Sequence, residues 1–111
     1  MKFNHFLSSY MPDPSIGSKV HFQNMIEQAI LAEELNYVSV SIPEHHLVNL
    51  LMMPSPLQMA VKISSLTKKI NLVTSVGVLP IHDMRIYAGE VAMADILTNG
   101  RLILGVGRGA F

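Results

Sequence analysis

Apolar positions change period along this chain. Lys2 to Ser8 alternates loosely, Phe3, Phe6 and Leu7 against Asn4 and His5, and runs into Met11-Pro12-Asp13-Pro14-Ser15-Ile16-Gly17-Ser18, so a first strand and a loop are predicted. From Lys19 to Leu35 the period becomes helical: Val20, Met25, Ile26, Ala29, Ile30 and Ala32 share one side and Gln23, Glu27, Gln28, Glu33 and Glu34 the other, with Ser18 as cap. Tyr37 to Ile42 is a β-branched run stopped by Pro43, a second strand in which Ser39 and Ser41 mark one tightly packed face.

Beyond a loop over 43–53, Ser55-Pro56 supplies a cap and a first-turn proline for a helix to about Lys68. Ile70 to Leu79 is almost continuously apolar, as in a strand covered on both faces. Asp83 to Thr98 reads as a third helix closed by Asn99-Gly100, and Arg101 to Gly107 as a fourth strand. The order is β-α-β-α-β-α-β, with connections suited to right-handed parallel crossovers. Such a pattern fits either an open doubly wound sheet or the amino-terminal half of a TIM (β/α)8 barrel. A whole barrel takes about 250 residues, so in the barrel reading these 111 residues are one partial domain carrying strands one to four.

Composition narrows the function classes. Half of the residues are hydrophobic and 14% are charged, against about 25% charged in ordinary domains. Eight basic and eight acidic residues give zero formal net charge, which removes the electrostatic basis for binding nucleic acid or an anionic membrane. Without cysteine there is no disulfide, thiol nucleophile or thiolate metal site. The longest charge-free stretch, His45 to Val61, is broken by Pro54 and Pro56 and is too short to span a bilayer. The amino terminus is too polar for a signal-peptide core, and a cytoplasmic location is expected. Lys68-Lys69 reads as a solvated helix end, and the methionines at 52, 53, 59, 84 and 93 as core filler.

Both parallel architectures place chemistry beyond the carboxyl ends of the strands. Glu44-His45-His46 follows the second strand there, Thr74-Ser75-Val76-Gly77 lies near the end of the third, and Gly105-Val106-Gly107-Arg108-Gly109 follows the fourth. Paired histidines beside a carboxylate serve acid–base chemistry, or equally a hydrogen-bonded loop. Adjacent histidines in an extended segment point apart and no third ligand is visible, so no metal site is expected. His5 and His82 fall near the same rim at uninformative spacings, and His5 better fits a satisfied core position. The glycines around Arg108 admit an anion beside a guanidinium, or a plain turn with a solvated arginine. With Ala110 they also match the opening of a dinucleotide fingerprint. Ser75 and Gly77 leave room for a flat ligand against the main chain, or for a bulge.

Taken in order, Met1-Lys2-Phe3, Glu44-His45-His46, Val78-Leu79-Pro80, Glu90-Val91-Ala92, Asp95, Asn99-Gly100-Arg101 and Gly105 to Gly109 resemble the amino-terminal part of bacterial luciferase and the luciferase-like flavin monooxygenases. The resemblance covers all 111 residues and selects the barrel. It implies an enzyme in which reduced flavin mononucleotide (FMN), supplied by a reductase, and oxygen oxidise an aldehyde or another small organic substrate. A deazaflavin-dependent oxidoreductase on the same fold is the neighbouring alternative. His45 falls on the catalytic histidine, with His46 beside it. Ser75 and Val76 fall where the flavin ring packs across a non-proline cis peptide, and Arg108 on the arginine that meets the flavin phosphate.

Gly107 stands where the luciferase catalytic subunit has a reactive cysteine, and the segment His82 to Gly89 lacks a proline common in relatives. The missing strands five to eight imply that the chain alone is inactive. A non-catalytic alternative is a half-barrel that assembles as a homo-oligomer or with a complementary half, because strands one and four have open edges.

Overall fold

The computed structural model describes residues 1–109; Ala110, the last small position of the dinucleotide pattern, lies outside them. Strands β1 (Asn4–Phe6), β2 (Ser39–Ile42), β3 (Asn71–Thr74), β4 (Gly77–Val78), β5 (Leu102–Ile103) and β6 (Val106–Gly107) alternate with helices α1 (Ser18–Glu34), α2 (Pro56–Ser64) and α3 (Met84–Leu97). One parallel sheet has the order β1-β2-β3-β5, and β4 pairs in parallel with β6 alone. Strand order follows chain order throughout the larger sheet.

Register puts the sheet's two faces in different environments. Val40, Ile42 and Leu72 are buried and pack with Met25, Ala29 and Ala32 of α1 and Met59, Ala60 and Ile63 of α2. Leu102, on the same face, also meets the Leu57, Tyr87 and Ala94 cluster between α2 and α3. The opposite face carries Asn4, Phe6, Ser39, Ser41, Asn71, Val73 and Ile103 in cross-strand rows. Helices on one face only, over strands in sequential order, are the barrel arrangement; a doubly wound sheet is covered on both.

Several boundaries differ from the sequence expectation. Ser18 is the first residue of α1, not its cap; Gly17 precedes it at φ 84 with no side-chain cap bond. Ser55 does cap α2, accepting from Gln58 N–H at 3.4 Å. That helix ends at Ser64 instead of Lys68 because its terminal carbonyls find other donors. Arg101 donates to Ser64 O at 2.7 Å and to Thr67 O at 3.3 Å, and the Thr67 hydroxyl donates to Ile63 O. Lys68 and Lys69 thus lie past the helix, their N–H groups turned to the Glu33 carboxylate at the end of α1.

The third predicted strand is broken at Ser75-Val76 and the fourth at Leu104-Gly105. At the break the Thr74 hydroxyl donates to Gly105 O at 2.8 Å and accepts from Gly105 N–H at 2.9 Å, replacing ladder bonds. A side chain on Gly105 would collide with the Thr74 carbonyl. Leu79 leaves the strand for a 3-10 turn over Leu79–Ile81. Of the predicted core methionines, Met53 and Met59 are buried, whereas Met84 and Met93 sit on the exposed side of α3. Among the described residues no helix is long and apolar enough to cross a membrane.

Candidate active site

The three rim segments converge on one cavity of about 600 Å³ at the carboxyl ends of the strands. Glu44, His45, His46 and Val48 form one side, Ser75, Val76, Val78 and Ile81 the second, and Arg108 and Gly109 the third. The Ser75–Val76 peptide is cis. Gly107 lets β6 lie close to it: a Cβ there would stand 3.0 Å from Val76 Cγ2. Arg108 is exposed and, among the described residues, has no carboxylate partner. The cavity therefore joins an apolar wall to a guanidinium available for an anion.

Glu44 organises the opposite side. Pro43 ends β2, and the Glu44 side chain that follows is 1% exposed. Its Oε2 meets His46 Nε2 and His82 Nε2, each at 2.9 Å, and its Oε1 meets His82 Nε2 at 3.1 Å and the Val78 N–H at 3.4 Å. A carboxylate only accepts, so both rings carry the proton on Nε2 and the neutral forms keep Nδ1 as acceptor. The His82 ring stacks on Tyr87, centroids 4.3 Å apart at 23°. Burial, then the charges of Glu44 and Glu90, push the Tyr87 phenol above its ordinary pKa. Its hydroxyl is buried without a hydrogen-bond partner among the described residues.

All six sequence candidates, His45, His46, Ser75, Val76, Gly107 and Arg108, are thus at or beside one cavity. His45 and His46 differ in role: the His45 main chain bonds Met53 O at 2.8 Å, whereas the His46 side chain joins the Glu44 cluster. Gly105 and Gly107 serve close strand contacts with Thr74 and Val76. His5 is half-buried away from the rim, its Nε2 2.9 Å from Gln28 Oε1 on α1. Spacing missed Glu44 as the hub and His82 as its second partner, 38 positions away. The available signal was position: His82 precedes Asp83, the cap of α3, and so stands at a strand-to-helix junction on the same rim as Glu44.

The family model described as Luciferase-like monooxygenase matches residues 1–111. The chain is 38% identical over 109 residues to the protein y4vJ of Sinorhizobium fredii, covering 98% of this chain and 31% of that one. It is 32% identical over 112 residues to the oxygenase component of the flavin-dependent trigonelline monooxygenase of Acinetobacter baylyi, covering 100% and 31%. The oxygenating constituent of 3,6-diketocamphane monooxygenase from Pseudomonas putida, solved with FMN, superposes with a TM-score of 0.92 at 24% identity, covering 100% of this chain and 30% of that one. The chain thus spans about a third of the length of these relatives. With the matching family model spanning every residue and the one-sided parallel sheet agreeing with it, this chain belongs to the luciferase-like monooxygenase family.

Proposed function

We propose that this chain supplies one wall of a flavin-binding active site in a monooxygenase that uses reduced FMN, delivered by a reductase, and oxygen to oxidise an aldehyde or another small organic substrate. The observation that carries the reading is the single cavity that gathers His45, His46, Ser75, Val76 and Arg108 from three separate segments. The donor set suits FMN: Val76, Val78 and Ile81 offer apolar surface for a flat ring, and Arg108 offers charged donors for a phosphate. Bound reduced flavin supplies the electrons for oxygen activation. The chain's own groups do the rest: Ser75-Val76 and Gly107 shape the ring wall, Arg108 holds the phosphate end, and His45 and His46 move protons at the cavity's edge. The Glu44 carboxylate keeps His46 in the tautomer whose Nδ1 accepts.

Flavin binding and oxygen consumption by the full gene product test this. Arg108→Gln is expected to weaken FMN binding about tenfold or more, the loss of a charge-assisted contact, while riboflavin, which has no phosphate, binds as before. A gene product that binds no flavin overturns the reading, and a preference for deazaflavin moves it to the neighbouring cofactor class. The 111-residue chain alone is expected to bind FMN more weakly than about micromolar, since one open wall buries little of a ligand that closed pockets enclose by 70–90%.

A further inference from the structure

We propose that Glu44, His46 and His82 form a three-ligand site for a divalent cation of the zinc class. Nothing in the flavin reading requires it, and it stands on different observations. One carboxylate oxygen and the two imidazole nitrogens all lie within 4.8 Å of one another. Two histidines and a glutamate are a proven donor set for zinc, with the fourth position left open. The cavity beside Glu44 and His46 supplies that open side.

Geometry needs little adjustment. Zinc bonds of about 2.0–2.2 Å in a tetrahedron separate donor atoms by about 3.3 Å, and the two nitrogens stand 2.9 Å from Glu44 Oε2. Each ring has to retreat by a few tenths of an ångström to admit the ion, and both rings have room, with 38% and 24% of their side-chain surfaces exposed. Glu44 provides the fixed point. Its Oε1 accepts from Val78 N–H, and the stack on Tyr87 sets the plane of His82, the supporting contacts that metal ligands use.

Charge argues in the same direction. The Glu44 carboxylate is almost fully buried, and among the described residues its side-chain partners are these two imidazoles, with no Lys or Arg beside it. A buried anion is costly unless paired, and a divalent ion pairs it without needing a proton on either ring. Occupied, the site takes His46 Nε2 and leaves the ring proton on Nδ1, so the metal-bound ring donates where the metal-free ring accepts, and it places a positive charge at the cavity's edge, where water or an anion completes the coordination.

The test is titration of the full chain with Zn²⁺ against a chromophoric chelator, repeated with Co²⁺, whose visible absorption reports coordination number. One equivalent should bind with Kd of about micromolar or below, with a tetrahedral cobalt spectrum. His82→Ala and His46→Asn should each weaken binding about tenfold or more, and His5→Asn, which alters a histidine outside the cluster, should not. Circular dichroism checks that each variant folds, and the exposed His46 keeps the test valid should His82→Ala unfold the chain. Absence of binding at 100-fold excess zinc over the chelator's range, or binding undiminished by His46→Asn, overturns the proposal. Neither result bears on flavin affinity, so failure here is distinguishable from failure of the flavin reading.

Discussion

At the scale of single residues, the hydroxyl of Tyr87 and the α-carbon of Gly77 share one tight volume. A Cβ on Gly77 would run into the phenol oxygen, and that oxygen is buried without a partner. Gly77 is therefore required by its neighbour more than by its own backbone. Gly77→Ala should destabilise the chain by about 1–3 kcal/mol, the cost of overpacking. Tyr87→Phe should be neutral or stabilising by up to about 1 kcal/mol, because an unsatisfied buried hydroxyl is removed. The double variant should recover most of the alanine's cost, a coupling that denaturant unfolding of all four proteins measures directly. Independent, additive effects would show that the two atoms do not compete. None of this is legible in sequence, where Gly77 is one small residue in an apolar run and Tyr87 one aromatic in a helix.

At the scale of elements, the carboxylate of Glu33 fastens α1 to the segment that enters β3. It accepts from the N–H groups of Lys68, Lys69 and Ile70 at 2.8–3.1 Å. Burial pushes its pKa up, but the N–H groups of Lys69, Ile70 and Lys68, with the charge of Arg101, outweigh it and hold the group below its ordinary 4.5. A folded pKa below the unfolded one adds stability that is complete above 4.5 and lost as pH falls through the lower folded value. Glu33→Gln should thus cost about 1 kcal/mol at neutral pH, partial solvent exposure keeping it low. The gap from the parent chain should close from about pH 4.5 downward, as urea midpoints across pH would show.

Element type and order were readable because hydrophobic period reports burial, and burial of a parallel sheet under helices is what this fold consists of. Strand length was not, since nothing in the run from Ile70 to Leu79 announces that Thr74 will bond Gly105 by its side chain and end the ladder. The end of α2 was hidden for a similar reason: Arg101, far along the chain, takes the carbonyl of its last residue, Ser64. The rim residues were legible because their positions follow from strand ends, whereas the Glu44–His82 contact needed two loops folded together.

At the scale of the whole molecule, the sheet face away from the helices is only partly covered. Phe6 and Ile103 on that face are 50% and 47% exposed. β1 and β5 are the edges of the four-stranded sheet. Apolar surface and unpaired strand edges favour association, so the 111-residue chain by itself is expected to sediment above monomer mass and to bind a hydrophobic dye. A monodisperse monomer that ignores the dye would show the face to be adequately solvated. The apolar surplus in the composition belongs in part to this face and to the outward side of α3, where Met84, Ile86, Met93 and Ile96 are exposed.

The break between the two sheets has a mechanical side. Between β3 and β5 the main chains hold each other directly, while the β4–β6 pair beside the cavity is tied to them through Gly105, which exchanges bonds with the Thr74 hydroxyl and accepts from Gly77 N–H, and through Ser75 N–H on Ile42 O. The four-stranded sheet acts as a chassis and the short pair as a separately mounted panel. A side chain at Gly105 would strike that mounting at the Thr74 carbonyl, so the panel's place beside the cavity depends on a residue that does not itself line it.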